Sequence, residues 1–381
     1  MITEKYNEQN LYQIKDFDKI ESFLMTLTSS DDYWMYISSS GCLTAGKKNA
    51  ETCLFPYETV NNIHNNAHIT GPITIIKVKD EKNKTILWEP FNKLNQEKNI
   101  ERSLYKNCIG NTIIFEENNI SLKLKFRYQW NISKEFGFVK QASIINYGKL
   151  KYNLSVIDGL QNIMASGIEL QTQQSMSNLS NAYRYSEVLE ESKCALYSLT
   201  SLLMDTPKPG ESLFANVVWS VADFKHKVSL SSEEISRFKN NLNFNEDYLI
   251  TGKPGSYLIN FDESIESNNK ITWKIISDVK KTQTEIADLD HKIRHENNFK
   301  QKIVEGIHSD SFNLERYIGN ADGFQCTQIT INDMHHTANV LYNVMRGGIL
   351  FNSYKVNRND FINFIKIRNI NLYNTYKDEF K

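Results

Sequence analysis

Residues 159–188, "GLQNIMASGIELQTQQSMSNLSNAYRYSEV", hold seven neutral side-chain amides: Gln161, Asn162, Gln171, Gln173, Gln174, Asn178 and Asn181. Charge is nearly absent until the last third of the stretch. An amide both donates and accepts hydrogen bonds, which is what a neutral sugar hydroxyl requires of a partner. A solvated loop rich in turn formers has the same composition, so the stretch leaves a sugar site and a surface loop both open. Aromatic rings complete a sugar site by stacking on its face. Trp88, Trp130, Trp219 and Trp273 all lie in strand-like runs, where a tryptophan fills a core as readily as it lines a cleft. His64 and His68 are four apart in "NNIHNNAHIT", a spacing that suits metal ligation on a helix, but the Asn and Gly around them indicate a loop and no metal site. His335 and His336 are adjacent, so on a helix they point about 100° apart. The acidic run "SEVLEESK" reads as a solvated turn or helix end. No nucleophile elbow, phosphate-cradling loop, dinucleotide fingerprint or H-E-x-x-H is present, and no cofactor is implied.

The elements that must carry these residues fall into two rhythms. Through about Ser277 short β-branched and aromatic runs alternate with Gly, Asn and Asp, a strand-and-turn pattern. In "SLKLKFRYQW" Leu122, Leu124, Phe126 and Tyr128 alternate with Lys123, Lys125 and Arg127, giving one buried and one wet face. Many such strands without intervening helices predict a large antiparallel sandwich. One helix interrupts them: Ser231 and Glu234 have capping-box spacing, with Leu230 and Ile235 at the staple positions. From about Lys280 the period becomes helical. Ile286, Leu289 and Ile293, then Phe299, Ile303 and Ile307, share a stripe. Further helices are expected over Asp333–Arg346, stopped by Gly347-Gly348, and in "NDFINFIKIRNINLYNTYKDEF" with Asn359 as its cap. The expected division is 1–279 for the β region and 280–381 for the helical one.

Composition narrows the function classes. Across 381 residues, 44 basic and 45 acidic side chains leave a formal charge of −1, so there is no general pull toward nucleic acid or anionic membrane. No window approaches the ~18 apolar residues of a spanning helix, and the N-terminus lacks a signal-peptide apolar core. Five scattered cysteines form no C-x-x-C pair and read as reduced thiols of a cytoplasmic protein.

The motifs "YWMYISSSGCLTAGKKNAETCLFPYETVNNIH", "LWEPF", "FRYQWNISKEFGFVKQASIINYG", "IDGLQNIM", "NAYRYSEV", "LTSLLMDTPKPGESLFANVVWS" and "DGFQCTQITINDMHHTANVLYNVMRGG" occur in that order. Together they resemble the N-terminal portion of large bacterial proteins related to cellobiose phosphorylase and to the phosphorylase part of cyclic glucan synthases. The resemblance covers nearly the whole chain. It implies a β-supersandwich of galactose-mutarotase type, then linker helices and the start of an α/α barrel. It also implies carbohydrate as the ligand, with the rest of the barrel or a second copy of the chain as partner. The candidate sugar-contacting residues are Trp88, Arg127, Trp130, Asp158, Gln161, Asn162 and Arg346; Arg346 also suits a helix C-terminus, where its charge is favourable.

The general acid of such phosphorylases lies in the barrel, and the chain stops at Lys381, about where that barrel would begin. An inverting phosphorylase needs that acid to protonate the leaving oxygen. No residue here matches it, so phosphorolysis is not expected of this chain alone. Two functions follow. One is a carbohydrate-associated module that binds glycan or supports a catalytic barrel. The other is a mutarotase-like epimerase pairing a histidine with a carboxylate. The apolar sides of "HHTANVLYNVMRGGILFNSY" lead us to expect Val340, Val344, Ile349 or Leu350 partly exposed.

Overall fold

A computed structural model describes residues 2–6, 9–80, 84–92, 99–201, 212–347 and 355–380, with side chains from residue 11 onward. Within it the chain forms two compact units, Met1–Asp310 and Ser311–Lys381.

The first unit is an antiparallel β-sandwich, as the alternating runs predict. Its largest sheet has, in spatial order, β1 (Ile2–Tyr6), β2 (Gln9–Lys15), β9 (Ile100–Asn107), β10 (Ile113–Asn119), β11 (Leu124–Ser133), β12 (Gly137–Asn146), β20 (Lys270–Thr282), β16 (Phe214–Ala222), β15 (Cys194–Leu199), β14 (Arg184–Leu189) and β18 (Leu249–Thr251). A second sheet runs β17 (Lys227–Ser229), β19 (Gly255–Ile265), β13 (Tyr152–Ile163), β7 (Gly71–Lys79) and β8 (Thr85–Trp88). A third runs β3 (Leu24–Leu27), β4 (Tyr33–Ser38), β5 (Leu43–Lys47) and β6 (Cys53–Phe55). Every pairing among the described residues is antiparallel.

One face of the large sheet meets the other two sheets in a single core. Phe115, Phe126, Tyr128, Ala142 and Trp273 contribute from the large sheet, Val156, Leu160 and Tyr257 from the second, and Met35, Ile37 and Leu43 from the third. The opposite face of the large sheet holds Val139, Val217, Trp219 and Ile276. These are covered by α5 (Gln283–His295) and by α6 (Phe299–Asn320) up to Asp310, through Ile286, Leu289, Ile293, Phe299, Ile303 and Ile307, the stripe expected from the sequence. Asp310 anchors α6: its Oδ1 accepts from Ser29 Oγ at 3.1 Å and from Ser30 N and Oγ at 2.9 and 2.7 Å. Helix α4 (Glu233–Lys239) lies on the outer face of the second sheet, with Phe238 among Ile75, Ile157 and Leu258.

Two expected caps differ. Ser231 Oγ accepts from Glu233 N–H at 3.3 Å, while Glu234 Oε2 accepts from Asn245 N–H at 2.8 Å, so the capping box at 231–234 does not close. Glu234 is buried, and a carboxylate removed from water turns to the stronger available donors, including Arg237. The reciprocal box forms instead at Thr282–Glu285, opening α5.

In the second unit α7 (Thr330–Met345) starts three residues before the expected Asp333 and ends where expected, with Gly347 at φ +75°. Val340 is buried beside Ile318 over Gly323 rather than exposed, Val344 is half-buried, and Met345 is the exposed member. Ile349 and Leu350 lie outside the described residues, as does all of "LLMDTPKPGE". The helix α8 (Arg358–Arg368) is capped by Asn357, not Asn359, because Asn357 Oδ1 accepts from Asn359 N and Asp360 N. A last turn, α9 (Ile370–Thr375), follows.

Candidate functional site

Gln161 and Asn162 sit at a break in β13. Pairing with β19 runs regularly to Leu160 opposite Tyr257, then shifts to Ile163 opposite Gly255. A bulge of this kind bends the strand and re-aims its side chains. Asn162 takes the left-handed conformation, φ 57°, which Asn tolerates better than most residues. Its Nδ2 donates to Thr70 Oγ1 at 2.8 Å.

The two amides line a cleft of about 340 Å³. Its other walls come from three connections: His68 and Ile69 before β7, Leu230–Glu233 between β17 and α4, and Lys253–Pro254 leading to Ser256 on β19. At the rim Glu233 and Lys253 pair at 3.0 Å, both largely in water. Gln161 is 7% exposed, and its Nε2 has no hydrogen-bond partner. A buried, unfilled amide N–H is costly, which leaves an unmet hydrogen-bond donor at the wall of the cleft. Serine hydroxyls, amides and apolar Ile69, Leu230 and Ile250 together give the mixed lining of a neutral-ligand pocket.

A larger groove of about 510 Å³ runs over β7, β13 and β19, lined by Lys77, Lys79, Asn153, Ser155 and Asp262. None of these side chains is both buried and unfilled, so it holds no comparable demand for a ligand.

The other candidate residues of the first unit are not gathered at the cleft. Asp158, fully buried, points into the sandwich core. Its Oδ1 accepts from Lys140 Nζ at 2.6 Å and Thr74 Oγ1 at 2.6 Å, and its Oδ2 from Trp273 Nε1 at 2.7 Å. Alternation along β13 explains it: Asp158 shares parity with Val156 and Leu160, which face the core. Burial pushes the Lys140 ammonium down, and the Asp158 carboxylate opposes that shift. Trp88 is buried, donating Nε1 to Glu117 Oε1 at 2.7 Å, and Trp130 is wholly buried in the core. Arg127 lies on the far face of the large sheet, half-buried, its Nε 2.8 Å from Glu116 Oε2. Tyr105 and Lys125 bind the same carboxylate from the other side at 3.1 and 3.2 Å. Arg346 is exposed at the C-terminus of α7, in the second unit. Of the amide-rich stretch beyond the strand, α2 (Leu170–Ser175) and α3 (Ser177–Ala182) carry Gln171, Gln174 and Asn178 exposed to solvent.

Sequence reasoning passed over Ser231, Ser232, Lys253 and Ser256, which lie far from Gln161 in the chain. It also passed over Trp34. Trp219 and Trp273 are buried like Trp88 and Trp130, whereas Trp34 is half-exposed, with Tyr36 and Tyr57 rings 6.0 and 5.6 Å away. Among the described residues no three His, Cys, Asp or Glu side chains cluster to hold a metal, and no helix is long and apolar enough to cross a membrane. Cys42, Cys53 and Cys194 are buried, and burial pushes the first two thiols up to about 11 and about 12.

No protein-family model and no curated protein matches the sequence. Among solved structures the chain is similar to a putative kojibiose phosphorylase from the human microbiome, at 11% identity over 79% of this chain and 33% of that one, TM-score 0.37. It is also similar to a polysaccharide lyase, at 8% identity over 69% of this chain and 34% of that one, TM-score 0.40. A GalM/aldose epimerase homologue from C. elegans matches at 9% identity over 69% of this chain and 100% of that one, TM-score 0.40. The chain thus spans about a third of the length of the phosphorylase and lyase chains.

Proposed function

We propose that this chain is a carbohydrate-associated β-sandwich module that holds a neutral sugar in the cleft beside Gln161 and Asn162. The observation that carries this reading is the buried Gln161 Nε2–H without an acceptor. A sugar hydroxyl accepts from that N–H and donates in turn to an amide or serine oxygen, while Leu230 and Ile250 meet the apolar ring face. Beyond the sugar, the proposed partner is an α/α-barrel region of the kind carried by the phosphorylase-related proteins its motifs resemble, or a second copy of the chain. In that role the chain itself performs no phosphorolysis.

The test is titration of the purified chain with glucose, galactose and β-linked disaccharides, followed by saturation-transfer NMR. Gln161→Leu, close in volume but unable to donate, is expected to lose about tenfold or more in affinity while the fold stays intact by circular dichroism. Equal binding by wild type and variant removes the cleft as the site.

A second reading rests on one observation: His68 and Glu233 line the same cleft, and a histidine with a carboxylate is the acid–base pair of an aldose epimerase. A coupled mutarotation assay on several aldoses decides it. Activity lost in His68→Asn supports the epimerase; no turnover of any aldose leaves the binding module.

A further inference from the structure

Arg184 opens β14 and is 7% exposed. Its guanidinium makes one polar contact: Nη2 faces the Met164 sulfur at 3.4 Å. Nε and Nη1 meet no acceptor. A thioether is a weak acceptor, and a buried cation without a counter-charge is strongly unfavourable. Burial pushes this guanidinium down to about 10, which still leaves it charged at neutral pH.

Among the described residues the surroundings supply no acid. Met164 packs with Ala165, Ile168, Leu199 and Cys53 in one small cluster, and the half-buried rings of Trp34 and Tyr183 lie against it. The neighbouring residues 170–182 carry no charge at all. The nearest acids in sequence are engaged elsewhere or outside: Glu187 accepts from Tyr185 Oη at 3.1 Å, Glu190 is exposed, and Glu191 is exposed and paired with Arg294. Among the described residues the guanidinium is therefore matched by no counter-charge, beside an aromatic and apolar wall.

We infer that Arg184 is the receptor of a second ligand site, one that takes a carboxylate carried on a sugar ring, that is, a uronic acid. The carboxylate accepts from the guanidinium N–H groups, the pairing for which arginine's planar fork is suited. The ring lies against Trp34 and Tyr183. This site does not depend on the neutral-sugar cleft. It gives the uncharged amide run a physical role: a carboxylate within 170–182 would compete with the ligand for Arg184.

The test uses the full chain at fixed ionic strength, titrated with D-glucuronate, with D-glucose and sodium chloride as controls. Melting temperature and the arginine side-chain Nε–H resonances are read together. Glucuronate is expected to raise the melting temperature by about 4 °C at a hundredfold excess over its dissociation constant. It is also expected to shift one guanidinium Nε–H resonance, while glucose and chloride do neither. Arg184→Met is expected to lose both responses and to melt no lower than wild type in anion-free buffer. Gln161→Leu retains them, which separates this site from the cleft. An unresponsive wild type overturns the inference, as does an equal response to chloride. If Arg184→Met does not fold, the wild-type Nε–H titration alone decides.

Discussion

At the scale of single residues the chain spends its charges unevenly. Asp158 is a carboxylate taken wholly out of water and matched by Lys140, Thr74 and Trp273. Removing one member of such a pair leaves the other uncompensated, so Asp158→Ala is expected to cost about 3–5 kcal/mol in urea unfolding. The double variant Lys140→Met/Asp158→Leu should recover part of that loss, because no ion is left to desolvate although Thr74 and Trp273 lose their acceptor. A double variant as unstable as the single one would mean that the pair stabilises the fold beyond mutual compensation. His226 supplies the pH dependence. Its Nδ1 faces the Phe224 carbonyl at 3.4 Å, so Nε2 is left to accept from Ser220 Oγ at 2.7 Å. Burial lowers its affinity for protons, with Lys193 adding to that effect and Glu246 opposing it. The unfolded chain then binds the proton more readily than the folded one. The contribution of His226 is present above its unfolded value of about 6.5 and is lost as the pH falls below it. His226→Gln should flatten the decline in stability between pH 7 and pH 5, as measured by denaturant midpoints at each pH.

At the scale of elements, period was the readable signal and direction was not. The stripe Ile286–Ile307 predicted α5 and α6 together with the face they bury, because a helical stripe names its own buried side. A strand's alternation names two faces without saying which sheet will cover which. In β4 Tyr33, Met35 and Ile37 turn to the core, which leaves Trp34 and Tyr36 outward; the same rule run with the other parity would have hidden them. Asp158 was misplaced for that reason. Gln161 and Asn162 were legible by residue type, but the bulge that re-aims them and the serines opposite arise from pairing between distant strands. Local capping had a similar limit: Ser231–Glu234 and Thr282–Glu285 share their spacing, and only the second closes because the buried Glu234 carboxylate is taken up by Asn245 N–H and Arg237. Thr282→Ala is therefore expected to cost about 1 kcal/mol, while Ser231→Ala costs measurably less; chemical denaturation of the two variants compares them directly. Equal losses would show that the helix start at 231 is capped as well.

At the scale of the whole molecule, apolar surface is concentrated in the helices after residue 355. On α8 Phe364 is 60% exposed and Ile367 is 81% exposed. Exposed apolar clusters promote association, so Phe364→Ser/Ile367→Ser should lower the binding of a hydrophobic dye and the concentration dependence of sedimentation. The melting point should hardly move, since solvent-facing substitutions usually stay within about 0.5 kcal/mol. The strand order has a consequence for how the chain is made. In the large sheet β20 lies between β12 and β16, although among the described strands it is the last in the chain. Until residues 270–282 have left the ribosome, β12 and β16 each present an unpaired edge to the cell, an interval on the order of ten seconds at ordinary elongation rates. Such edges are templates for pairing with the wrong chain. Nascent protein is thus most vulnerable between the synthesis of β12 and that of β20, and its yield will follow chaperone supply and elongation speed over that interval more closely than the stability of the finished sandwich.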